Sequence, residues 1–236
     1  MSFHIFTNIG NKRKKNEDSY LLLQPEKGVA ILAVADGMGG HSAGEVASEI
    51  AIESIRDYSF NFADNIIKQI KSAVNKANEN ILNYEADDIN YKDMGTTLTL
   101  SVLKDNKLFY GHVGDSRIYL FDGQLNQVTR DHSLVNDLIE NKSIRPDEAF
   151  DHPKKNIITQ ALGIDKDLEI QTDQIDITDE DIIMLCTDGL SDMIRFENIE
   201  EVFQKDKKLQ EMIDELGSQA LNNGGTDNIT IIMGKL

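Results

Sequence analysis

The chain has one cysteine, Cys186, and three prolines among 236 residues. A lone thiol excludes a disulfide framework and a thiolate zinc cluster. No apolar run approaches the ~18 residues that a bilayer-spanning helix needs. The longest uncharged apolar stretch is 29–35, and Asp36 ends it. Residues 1–6 lack a basic region followed by an apolar core, so no signal peptide is expected and the cytoplasm is the default location. Basic residues are also scarce: 24 Lys and Arg stand against 41 Asp and Glu, a formal charge of −17. So acidic a surface is repelled by nucleic-acid phosphates and anionic headgroups, which argues against nucleic acid and membrane as partners. No Gly/Ser-rich linker and no internal repeat is visible. One domain over 1–236 is expected, as a monomer.

What is present is periodic. Hydrophobic residues make up 40% of the chain and fall in blocks, so a packed core is possible. Residues 29–35 and 182–186 read as buried strands. Residues 97–103 alternate with period two, as a half-buried strand does. Residues 108–113, 118–121 and 228–233 complete the strand set. With turn signals at Asp105-Asn106 and Asp122-Gly123, the middle of the chain reads as a run of antiparallel hairpins. Residues 43–58, 64–84, 199–203 and 209–221 carry helical spacing. Strands in meanders and helices in adjacent pairs point to α+β layers with antiparallel sheets. Residues 133–156 are mostly polar and weakly periodic. They read as a flap with a short helix or, equally, as a surface connection.

Four aspartates share one context. Asp36 and Asp188 each end a predicted strand, precede a glycine, and lead into a helix-like segment, not a second strand. Asp115 follows Gly114, and Asp227 follows Gly224-Gly225-Thr226 and opens a strand. Asp-Gly is a common turn pair, but a hairpin explains Asp36 and Asp188 poorly. Carboxylates beside glycines at strand ends suit a hard divalent cation. Gathered in one place without cations they would repel one another strongly.

The motifs run in a recognisable order. They are Arg13-Lys14-Lys15-Asn16-Glu17-Asp18, Asp36-Gly37-Met38-Gly39-Gly40-His41, Gly95-Thr96-Thr97 and Gly114-Asp115-Ser116-Arg117. Thr129-Arg130-Asp131-His132-Ser133, Thr159-Gln160-Ala161-Leu162-Gly163, Thr187-Asp188-Gly189-Leu190-Ser191-Asp192 and Gly225-Thr226-Asp227-Asn228 follow. Each alone is weak; in this order over nearly the whole chain they are specific. The chain resembles the metal-dependent protein phosphatases, the PPM or type 2C serine/threonine phosphatases, in their compact bacterial form.

The resemblance implies a four-layer sandwich: two packed antiparallel sheets flanked by helix pairs. It implies two tightly bound Mg²⁺ or Mn²⁺ ions bridged by Asp36, with the Gly37 carbonyl on one of them. Asp188 and Asp227 would complete the first metal, and Glu17 would hold water ligands of the second. Asp115, with Asp188, would hold a third, weaker ion. Arg13 would grip the substrate phosphate. A hydroxide between the two ions would attack the phosphorus of phosphoserine or phosphothreonine in line, without a phosphoenzyme. Phosphorylated proteins, as products of a serine/threonine kinase, are the implied partners.

Arginine's planar fork suits two phosphate oxygens. The bland alternative for Arg13 is a solvated turn among Lys12, Lys14 and Lys15. Met38 stands where many eukaryotic members carry a histidine, so His41 is either a proton donor or a support behind the ligands. His132 reads as packing at the flap base. Asp115 has a plain hairpin turn as its alternative.

Other phosphate chemistries do not match. A cysteine phosphatase needs Cys-x5-Arg, whereas Arg195 lies nine residues after Cys186; Cys186 reads as a buried strand residue. An aspartyl-phosphate enzyme needs Asp-x-Asp after a strand, and Asp179-Glu180-Asp181 precedes one. No phosphate-binding Gly-x-x-x-x-Gly-Lys-Ser/Thr loop is present. Two alternatives remain: a non-catalytic phosphoprotein-binding scaffold of the same fold, or a hydrolase of small phosphate esters.

Overall fold

The computed structural model describes residues 1–39, 43–87 and 91–235. Two antiparallel sheets lie face to face between helices. The first sheet has the order β1-β11-β10-β7-β8, from Ser2–Asn8, Ile229–Lys235, Ile182–Cys186, Arg117–Phe121 and Leu125–Gln127. The second has the order β2-β3-β5-β6-β9, from Asp18–Leu23, Val29–Met38, Leu98–Lys104, Lys107–Val113 and Gln171–Asp176. The short β4, Gly95–Thr96, pairs with the end of β3. Helices α1 (Ala43–Arg56) and α2 (Ile66–Asp87) pack on the second sheet. Helices α4 (Asp188–Ser191) and α6 (Leu209–Asn222) pack on the first, with α5 (Phe196–Phe203) against α6.

The period-two pattern of the strands builds these layers. In β3, Ala30, Leu32 and Val34 face the other sheet, while Ile31, Ala33 and Ala35 face α1 and α2. In β10, Ile183 and Leu185 join the core between the sheets, and Met184 and Cys186 join the core under α4–α6. Three apolar clusters thus separate four layers. Each fully buried Leu or Ile contributes about 1.5–3 kcal/mol. In α2, Ile66, Ile70, Ala73, Val74, Ala77 and Ile81 lie on one buried face, as their spacing predicts. Among the described residues no helix is long and apolar enough to cross a membrane. Cys186 is buried, and burial pushes its thiol up to about 12.

Two expectations are corrected. β3 does not stop at residue 35. It continues to Met38, because Asp36 still pairs with Asp18 and Gly37 pairs with Thr96. The run of hairpins is also interrupted. β5–β6 and β7–β8 are hairpins, but β6 and β7 belong to different sheets. Asp115 therefore lies on a crossover between sheets, not in a hairpin turn. The segment 133–156 holds a short α-helix, α3 (Leu134–Glu140), with Ser133 Oγ accepting from Asn136 N–H at 3.2 Å as its N-cap, and a single 3-10 turn at Pro146–Glu148. His132 packs its ring 5.1 Å from that of His112 and accepts from Gly114 N–H at 3.3 Å, in keeping with a packing role.

Candidate metal and phosphate centre

The candidate side chains come from the adjoining ends of both sheets. Asp36 is held by its backbone. Its N–H donates to Thr97 Oγ1 at 2.9 Å, and its carbonyl accepts from Thr97 N–H at 3.0 Å and Thr96 Oγ1 at 2.9 Å. The Gly-Thr-Thr motif is thus a brace for Asp36. Leu162, from the Thr-Gln-Ala-Leu-Gly motif, braces it in turn by exchanging two backbone hydrogen bonds with Thr96. Thr97 Oγ1 also meets Ser116 Oγ at 2.8 Å, which ties the Asp36 strand to the turn carrying Asp115.

Gly37 has a steric reason. A Cβ there would sit 2.1 Å from the carbonyl oxygen of Gly44, so only glycine lets α1 start so close to β3. Its N–H donates to the Glu17 carbonyl at 3.1 Å, drawing Glu17 to the same end of the sheet.

Asn228 ties three chain segments together. Its Nδ2 donates to the carbonyls of Ile9 (2.9 Å) and Lys15 (2.8 Å), and its Oδ1 accepts from Glu17 N–H at 2.8 Å. This clamp sets the 9–17 loop against the Asp227 turn. Arg13 Nη2 then lies 2.5 Å from Asp227 Oδ2, with about half of the arginine side chain open to solvent. Thr187 makes another link, donating from Oγ1 to Asp18 Oδ2 at 2.9 Å and accepting from Thr230 N–H at 3.0 Å. Asp188 opens α4 directly after it.

The electrostatics are those of uncompensated crowding. Burial, then repulsion from Asp188, Asp18, Asp115 and Asp227, holds the Asp36 carboxyl well above its ordinary range. Asp188 is raised likewise, by burial and then by Asp115, Asp192, Asp227 and Asp18. Asp18 and Asp115 are each pushed up to about 7, burial again being the leading cause. Glu17 is raised mainly by burial.

The oxygens Asp18 Oδ1, Asp115 Oδ1 and Asp188 Oδ1 are buried with no hydrogen-bond partner. Orphaned, inward carboxylate oxygens are what hard cations take up. Among the described residues no three His, Cys, Asp or Glu side chains form a ready cage by themselves.

Glu17, Asp36, Gly37, Asp115, Asp188 and Asp227 are thereby linked through one network, with Arg13 at its edge. His41 lies outside the described residues. Sequence reasoning did not single out Asp18, although it ends the first motif; its place opposite Asp36 needs the β2–β3 register. It also did not assign Arg117 and Asp131, which form a two-toothed ion pair, Nε to Oδ1 at 2.9 Å and Nη2 to Oδ2 at 2.6 Å. That pair joins two of the motifs.

Residues 10–227 match the family described as Protein phosphatase 2C. This chain belongs to the protein phosphatase 2C family. The 2C-type phosphatase is 34% identical to "Serine/threonine phosphatase stp" of Listeria monocytogenes over 233 residues, 96% of this chain and 92% of that one. Its fold is similar to the crystal structure of the Mycobacterium tuberculosis serine/threonine phosphatase PstP/Ppp. The TM-score is 0.92 and the identity 34%, covering 100% of this chain and 98% of that one. A catalytic domain of the phosphatase PstP, solved in complex with two manganese ions, is similar with a TM-score of 0.88 and 33% identity, over 99% of this chain and 97% of that one. The two antiparallel sheets with flanking helices are thus the architecture of the bacterial 2C-type phosphatases.

Proposed function

We propose that this 2C-type enzyme hydrolyses phosphoserine and phosphothreonine in proteins with the help of Mg²⁺ or Mn²⁺. The observation that carries the reading is the aspartate crowding, with three buried carboxylate oxygens left unpartnered and Arg13 on the neighbouring Asp227. The 34%-identical serine/threonine phosphatases and the manganese-bound relative support it.

Asp36 would be shared by two ions, with the Gly37 carbonyl as a ligand of one. Asp188 and Asp227 would hold the first ion, Glu17 would hold water ligands of the second, and Asp115 with Asp188 would hold a third, weaker one. When bound, the ions supply an acidified water and neutralise the phosphate. Arg13, held beside Asp227 and half open to solvent, offers its fork to the phosphate. Thr96 and Thr97 keep Asp36 in place without touching substrate. No side-chain nucleophile takes part, and no phosphoenzyme forms.

The whole chain is read as one catalytic domain with residues 133–156 as its flap, acting as a cytoplasmic monomer on the products of a serine/threonine kinase. Asp36, Asp188, Asp227 and Arg13 are all present, which weighs against a non-catalytic scaffold. The test is phosphate release from a phosphothreonine peptide with Mn²⁺ and with excess chelator. Release is expected only with metal. Full activity in chelator, or none at any Mn²⁺ level, overturns the reading. Strong competition by the peptide against a small aryl phosphate separates it from a small-ester hydrolase.

A further inference from the structure

A cavity of about 540 Å³ opens between the 133–156 segment and the start of α5, with Asp115 and Asp188 at one end. This volume lies within the range of small-ligand sites. The lining is mixed. Val135 and Ile139 of α3 line it, as do Phe150 and Phe196. Its cations are already engaged. Arg117 is locked to Asp131, Lys155 Nζ lies 3.1 Å from Asp192 Oδ2, and Arg195 Nη2 lies 2.5 Å from Asp151 Oδ2. Lys155 and Arg195 also sit over the Phe150 ring, at 5.0 and 4.3 Å from its centroid, which fixes that wall. Besides the Asp115 and Asp188 oxygens, one donor stays unanswered: Asn136 Nδ2 is buried, has no hydrogen-bond partner, and belongs to a residue lining the cavity. A buried donor left unpaired costs stability and marks a place where an acceptor is missing.

We propose that this cavity is a side-chain subsite of the phosphopeptide. It takes an uncharged apolar side chain next to the phosphorylated residue, and Asn136 donates to a backbone carbonyl of the same peptide. The inference rests on the phosphopeptide reading above. Neighbouring residues of an extended peptide lie about 3.3 Å apart along the chain, so a cavity continuous with Asp115 and Asp188 is within reach of the flanking residue. An acidic side chain would meet Asp192 and Glu197 in the lining. A basic one would find Asp131, Asp147 and Asp192 already paired with Arg117, Arg145 and Lys155, which leaves Glu197 as its partner away from Asp115 and Asp188.

The test uses the Mn²⁺-loaded enzyme and phosphothreonine peptides in an alanine host. Leu, Asp or Lys is placed one residue before or one residue after the phosphothreonine. At one of these positions Leu should raise kcat/KM over Ala by about tenfold, the scale at which apolar pockets discriminate, and Asp should lower it. Ile139→Glu should bring the Leu-to-Ala ratio close to one. A Leu-to-Ala ratio that stays near tenfold in Ile139→Glu counts against the subsite, and an unchanged melting temperature of that variant shows that a ratio near one is not a collapse of the segment. Asn136→Ala should raise KM about equally for the Leu and Ala peptides, since a backbone carbonyl is common to both, and keep the ratio. Equal turnover of the Leu, Asp and Lys peptides overturns the subsite alone, as does a preference for Lys. No turnover of any peptide overturns the phosphatase reading and the subsite with it.

Discussion

Asp18 and Asp36 are register partners on the adjacent antiparallel strands β2 and β3. Two carboxyls at facing positions of a sheet repel each other when both are ionised. Here burial adds to the repulsion, and each carboxyl is held above its ordinary range. The metal-free centre is therefore a site of stored repulsion that bound cations relieve.

The first expected outcome is a reversed pH dependence of metal-free stability. Asp18 and Asp115 have folded pKa values of about 7, against about 3.9 for an unfolded aspartate. Between those values the folded state binds more protons than the unfolded state, so stability falls as pH rises. Their stabilising contribution is complete below about pH 4 and is lost as pH climbs through about 7. In chelator, the melting temperature should drop across this window. Mn²⁺ at ~100 times its dissociation constant should add about 2.7 kcal/mol near neutral pH. A flat profile in chelator, or a melting temperature indifferent to Mn²⁺, would count against the crowded centre.

Asp36→Asn removes one of the crowded charges and, on the proposed reading, the residue shared by two ions. Turnover of a phosphothreonine peptide should fall close to zero. In chelator the variant should melt higher than the wild type at neutral pH, because one repelling charge is gone. Phosphate release and thermal melts read the two effects separately. Ordinary turnover would place the chemistry elsewhere.

Arg13→Ala should be a kinetic defect with little structural cost. Its ion pair with Asp227 is partly exposed, and such pairs contribute about 0–1 kcal/mol. Loss of a hydrogen bond to a charged phosphate costs about 1.5–3 kcal/mol, or roughly 10- to 150-fold in kcat/KM. Steady-state kinetics on a phosphopeptide and a melt on the same sample provide the check. Kinetics equal to wild type would make Arg13 a solvated turn residue.

Thr97→Val tests the brace. Thr97 is fully buried, and its hydroxyl accepts the Asp36 N–H and meets Ser116. Leaving those groups unpaired should cost about 1–3 kcal/mol of stability. Because the backbone of Asp36 is what the brace holds, Mn²⁺ affinity should weaken as well. Urea denaturation and a Mn²⁺ titration measure both. A loss of stability with unchanged Mn²⁺ affinity would mean that Asp36 is placed by other contacts.

Much of the architecture was legible before the fold was known. β10, Ile182–Cys186, was read to the residue, because a strand buried on both faces leaves an unbroken apolar run. The start of α6 and the face of α2 followed from helical spacing. The edge strands β1 and β9 were not seen, since an edge with one solvated side carries polar residues and breaks the pattern. The polar, weakly periodic residues 133–156 fit a flap with a short helix and a surface connection equally, and the ties of this segment to α4 and α5 come from long-range pairs such as Lys155 with Asp192.

Sequence by itself determined the layer type, the order of the motifs and the aspartates that carry them, because periodicity and glycine-flanked carboxylates are local properties of the chain. Tertiary structure alone decided that Asp115 lies on a crossover between sheets, that Asp18 faces Asp36, and that Asn228 clamps the Arg13 loop to the Asp227 turn. Strand register and sheet partner depend on contacts between residues far apart in the chain. Asn228 and Lys15 stand 213 positions apart, and the pairing of β1 with β11, which sets Asn8 opposite Ile229, brings their segments within a hydrogen bond.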